Sequence, residues 1–139
     1  MVLVKTAAAR ILAGSLALFT GVSGAAAPAP GGDFDCTQLL PSLQQACIVN
    51  NDLADKGSYG SYTNSCDGGG RCDDSVYSKL VSAGNKIGAG KLADACANLA
   101  SIQQDLLTWS TASKPKVDQA GYNSLTGELA TVQAGYLCP

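Results

Sequence analysis

Six cysteines carry most of the chemistry this sequence offers: Cys36, Cys47, Cys66, Cys72, Cys96 and Cys138. No histidine occurs anywhere, and no two cysteines stand in a C-x-x-C pair. Zinc-ligand spacing is therefore absent, and no metal or cofactor is expected. An even cysteine count in a small exported chain predicts disulfides instead, with 15 pairings open for six cysteines. Without histidine, the commonest general base and the Ser-His and Cys-His pairs are missing too. Neither a G-x-S-x-G elbow nor a phosphate-cradling G-x-x-x-x-G-K-[ST] loop occurs. The remaining enzymatic candidate is a two-carboxylate hydrolase drawn from Asp67, Asp73, Asp74 and Glu128. Asp73 and Asp74 have a simpler use, as caps and dipole partners at a helix start. Calcium fits poorly, because Asp67-Gly68-Gly69-Gly70-Arg71 lacks the alternating ligands of an EF-hand loop and carries a cation. The expectation is a non-enzymatic protein.

A second chemical feature is the segment 57–71, GSYGSYTNSCDGGGR. It holds no aliphatic residue and reads as an exposed loop, tied down by Cys66 and Cys72. Tyr59, Tyr62 and Asn64 among Ser, Gly and Thr have the composition of recognition loops, where tyrosine supplies rigid amphipathic area. These three residues are the candidate binding set, and the partner they suggest is an extracellular protein or glycan.

The elements that must position these groups follow from periodicity. Leu92, Ala95, Leu99, Ile102, Leu106 and Trp109 alternate three and four apart and draw one apolar stripe down a helix. Lys114-Pro115 interrupts it, and the stripe resumes at Tyr122, Leu125, Leu129, Val132 and Tyr136. Two such helices joined by a short turn predict a long antiparallel hairpin. Asp73 or Asp74 starts a shorter helix carrying Val76, Tyr77, Leu80 and Val81, with Gly84 as its stop. Leu39, Leu43, Ala46, Cys47 and Leu53 outline another, with Pro41 in its first turn and Gly57 ending it. The fold class is all-α, a disulfide-stapled bundle of about four helices.

The N-terminal region sets the compartment. Lys5 and Arg10 precede an uncharged apolar run over 11–22 and a small-residue stretch ending at Ala27. Residues 1–26 thus read as a secretory signal peptide cleaved between Gly24 and Ala27. Residues 27–32 form a Pro/Gly stem, and 33–139 form a single disulfide-rich domain. No second apolar run of that kind follows, so stable membrane insertion is not expected. Removing the signal takes away two of nine basic residues, leaving seven against eleven acidic ones, a net of −4. That balance, with lysines scattered, disfavours non-specific binding to nucleic acid or anionic membrane.

The alanine-rich leader, the Ala-Pro stem and the even cysteine set resemble the small cysteine-rich secreted proteins of filamentous fungi. That resemblance implies an effector-like protein acting outside the cell on another organism's molecules. Saposins and elicitins are similar in being small, secreted, helical and six-cysteined. Their spacings differ from the 10, 18, 5, 23 and 41 residues that separate the cysteines here. The expected function is secreted, non-enzymatic binding. A small-lipid or sterol carrier is the alternative, because a caged helical bundle can enclose an apolar space; a small secreted hydrolase comes third.

Overall fold

The computed structural model describes residues 34–60, 66 and 70–139. The expected signal peptide and stem lie outside the described residues. After a 3-10 turn at Cys36–Gln38 come four helices: α1 Pro41–Asp55, α2 Cys72–Gly88, α3 Leu92–Thr111 and α4 Gln119–Gly135. Among the described residues the fold is all-α, with no strand, and no helix is long and apolar enough to cross a membrane.

Local chemistry explains each boundary. Pro41 opens α1 at a position where the absent N–H is not needed and the fixed φ suits the helix. Asp118 caps α4 by accepting from the Gly121 N–H at 2.6 Å. The stops share one geometry. α1 ends in paired bonds from Gly57 N–H to Ala54 C=O and from Ser58 N–H to Leu53 C=O. α2 repeats the pattern with Gly90 and Lys91, and α4 with Leu137 and Cys138. This double-bonded ending requires one residue in the left-handed region. Gly57 and Gly90 supply it at φ 74°, but α4 uses Leu137 at φ 54°. Leu137 is also 88% exposed, and the left-handed region costs a residue with a Cβ about 1–2 kcal/mol.

Two expectations about α2 need correction. Gly84 does not stop the helix, which continues to Gly88. A Cβ on Gly84 would come within 3.3 Å of Leu43 Cδ1, so this glycine lets α1 approach. Nor do Asp73 and Asp74 cap the helix: its N-cap is Arg71, with no side-chain capping bond.

Each helix packs against two neighbours, closing the ring α1–α2–α3–α4–α1. Cross-links between helices give their directions. Lys79 binds Asp105 while Ser82 and Lys86 meet Asn98, so α2 and α3 run antiparallel. The Cys96–Cys138 disulfide joins the start of α3 to the residues just past α4. Ser42 Oγ meets the Tyr136 hydroxyl at 2.5 Å, pairing the start of α1 with the end of α4. Asn50 near the end of α1 reaches Asp73 at the start of α2. The result is an up-down-up-down bundle that contains the expected α3–α4 hairpin.

The core stripes match their sequence spacing. Leu99, Ile102, Leu106, Leu125 and Leu129 are fully buried and face Leu43 and Leu80 across the bundle. Each such side chain contributes roughly 1.5–3 kcal/mol by leaving water. Leu92 departs from its stripe, 42% exposed at the first residue of α3. Phe34 folds back as a lid, its ring stacked on Tyr77 at 4.2 Å. All six cysteines are paired: Cys36–Cys47, Cys66–Cys72 and Cys96–Cys138. Such cross-links are sustained in oxidising compartments such as the extracellular space.

Candidate functional site

The segment between α1 and α2 begins with a correction to the candidate binding set. Tyr59 is 1% exposed and belongs to the core. The backbone ending at Gly57 turns Ser58 and Tyr59 back into the bundle, where the Ser58 carbonyl accepts from the Asp118 N–H at 2.9 Å. Gly121 makes this approach feasible, since a Cβ there would lie 3.1 Å from Ser58 Cβ. The tyrosine ring then occupies core volume, and its hydroxyl needs an internal partner. Asn50 provides one, accepting at 2.7 Å on Oδ1 while its Nδ2 donates to the Asp73 carbonyl at 3.1 Å. Burial, followed by the negative charge of Asp73, pushes the Tyr59 phenol well above its ordinary pKa of 10.0.

Asp73 continues this network. Its carboxylate is fully buried and held by a two-pronged contact from Arg71, Nη2 to Oδ2 at 2.5 Å and Nε to Oδ1 at 3.1 Å. Such forks are the strong form of charged hydrogen bond, and they match carboxylate geometry in a way lysine cannot. Arg71 Nε also lies 3.7 Å from Asp74 Oδ2. Asp73 therefore locks the entry to α2, with each carboxylate oxygen bonded to arginine.

The other end of the segment is equally fixed. Cys66 is bonded to Cys72 at the first residue of α2, and Cys66 and Gly70 exchange backbone hydrogen bonds at 2.8 and 3.0 Å. Beside these anchors lies a polar cleft of about 350 Å³. Gly70, Arg71, Asp74, Ser75, Ser78 and Lys79 line it. Tyr62, Asn64 and Asp67 lie outside the described residues.

The hydrolase carboxylates are not brought together. Asp73 sits on α2 and Glu128 on α4, two helices at opposite corners of the ring with no contact between them. Among the described residues, no group of three or more Asp, Glu, Cys or His could hold a metal ion. What sequence reasoning missed is the Asn50–Tyr59–Asp73–Arg71 network. Its signal was Asn50, a polar residue in register with the core positions Leu43, Ala46, Cys47, Leu53 and Ala54. A polar group on a buried stripe implies a buried partner. Comparison with protein-family models, with curated proteins and with solved structures finds no match to this chain, so its function is argued from the site itself.

Proposed function

We propose that this protein is a secreted, non-enzymatic binding protein of the effector-like kind, acting on an extracellular or host protein or glycan. Its contact surface in this reading is the segment between Tyr59 and Gly70, together with the polar cleft beside it. One observation carries the proposal: the segment is anchored at both ends, by Tyr59 bonded inside the core and by Cys66 cross-linked to α2. A loop pinned to a rigid scaffold is where binding residues commonly lie. Tyr62 and Asn64 fall between the anchors, and tyrosine is enriched among residues that dominate interface energy. The layout shared with small cysteine-rich fungal secreted proteins supplies the setting.

The test is the change Tyr62→Ala with Asn64→Ala in the secreted protein. Binding to the partner captured by the unaltered protein should weaken by at least about 2 kcal/mol, roughly thirtyfold. The melting temperature should stay within a degree or two. Undiminished binding would move the contact surface onto the helices. Turnover of a glycan or lipid panel that disappears with Asp74→Asn would overturn the non-enzymatic reading.

A further inference from the structure

A second cleft, of about 380 Å³, lies toward the opposite end of the bundle from the Cys66–Cys72 disulfide. One wall is the corner where the 3-10 turn meets α1, contributing Leu40 and Pro41. The other is a single face of α2, Val81, Gly84, Asn85 and Gly88, which recur at helical spacing. From these residues we infer a binding site for a small neutral amphiphile, a molecule with an apolar body and one uncharged hydroxyl or carbonyl group.

The lining chemistry selects that class. No charged residue lines the cleft, so an ionic head would lose water with no counter-charge to receive it. Leu40, Pro41 and Val81 offer apolar contact. Asn85 offers an amide donor and acceptor that bond no other described side chain, and Gln38 also lines the cleft, its amide N–H donating to Asp35 Oδ2 at 3.1 Å. A few placed polar groups on an apolar wall, in a volume of several hundred Å³, are the usual make-up of a small-molecule site. Gly88 lines the cleft and has space beside it. Its φ is not left-handed, and a Cβ there would meet nothing within 4 Å. Alanine or leucine would suit this last helical residue at least as well as glycine. Gly84 differs, because packing against Leu43 explains it. The site is separate from the 60–70 contact surface and stands or falls independently of it.

The probes are 1-decanol and decanoate, one chain with a neutral and an anionic head, titrated into the isotopically labelled secreted protein below micelle-forming concentrations. Backbone amide shifts of Val81, Asn85 and Gly88 should move saturably with decanol, and decanoate should bind at least about tenfold more weakly. Gly88→Leu fills the cleft, so it should weaken decanol binding about tenfold or more while the melting temperature holds or rises. Gly88→Ala, with a smaller side chain, should fall between the two and serves as the folded comparison if the leucine variant misfolds. Asn85→Ala should weaken decanol binding about two- to tenfold by removing the hydroxyl's partner, while the preference for the neutral head remains. Silent amides up to the solubility limit, equal binding of the two probes, or full decanol binding by both Gly88 variants would each overturn the site.

Discussion

Tyr59→Phe removes one oxygen atom and tests whether the 57–60 segment is part of the core. Tyr59 is 1% exposed and Asn50 fully buried, so water has no path to replace the lost hydroxyl. The substitution leaves Asn50 Oδ1 without the 2.7 Å donor it has now. An orphaned buried acceptor costs about 1–3 kcal/mol. In a domain of about a hundred residues, each kcal/mol shifts the melting temperature by roughly 4–8 °C. Tyr59→Ala also deletes the ring and should cost about 3–5 kcal/mol, the range for large buried aromatics. Urea unfolding followed by far-UV circular dichroism measures both, with the midpoint moving and the slope constant. A cycle pairing Tyr59→Phe with Asn50→Ala should return a coupling of about 0.5–3 kcal/mol. If Tyr59→Phe falls within about 0.5 kcal/mol of the unaltered protein, the ordinary range for surface changes, the hydroxyl is solvated and the network is wrong.

Leu99→Ala should cost about 2–5 kcal/mol, and Asn98→Ala a smaller but measurable amount, about 0.5–1.5 kcal/mol. Asn98 looks polar and free in the sequence, yet it donates to Ser82 Oγ at 2.8 Å across the α2–α3 interface; equal costs at the two positions would refute this packing. Gly121→Ala should destabilise by about 1–3 kcal/mol through overpacking against Ser58 and Val117. Gly127→Ala, with open space at its Cβ, should stabilise by up to about 1 kcal/mol, and thermal melts showing both changes neutral would contradict these contacts. Leu137→Gly should raise stability by about 1 kcal/mol by relieving the left-handed backbone, and a lower melting temperature would count against that account. The raised Tyr59 pKa predicts an alkaline limit. The fold favours the neutral phenol, so its stabilisation is complete below pH 10.0 and falls as the unfolded chain ionises above it. The slope from this group is at most about 1.4 kcal/mol per pH unit, and Tyr59→Phe should remove it from urea midpoints measured on either side of that pH.

Periodicity alone was enough to place α3 and α4, because Leu99, Ile102, Leu106, Leu125 and Leu129 obey a spacing that only a buried helix face requires. The start of α1 was equally legible, since Pro41 tolerates few helical positions. Gly84 misled because a glycine can signal either a stop or a close approach. The deciding atom, Leu43 Cδ1, lies on another helix. Tyr59 was hidden for a related reason. Its local composition is that of a surface loop, and its burial depends on Asn50 nine residues earlier and on Gly121 far down the chain. Disulfide pairing was beyond sequence reasoning, since spacing does not choose among the alternatives. The amphiphile cleft was equally invisible, being assembled from a corner and a helix face that only the antiparallel return of α2 brings together.

Every disulfide stays within one half of the molecule. Two lie in the part that includes α1 and α2, and the third joins the two ends of the α3–α4 hairpin. The halves share one covalent thread, the exposed turn between Gly88 and Leu92. A protease cut after Lys91 would therefore release no peptide under non-reducing conditions if packing holds, yet denaturant would then part the protein into two internally stapled pieces. A pulling force on the two ends would be carried between the halves by side-chain packing and by cross-bonds such as Ser42–Tyr136, Ser58–Asp118, Ser82–Asn98 and Lys79–Asp105. The start of α1 and the end of α4 lie side by side, so the α1–α4 seam should be the first to open.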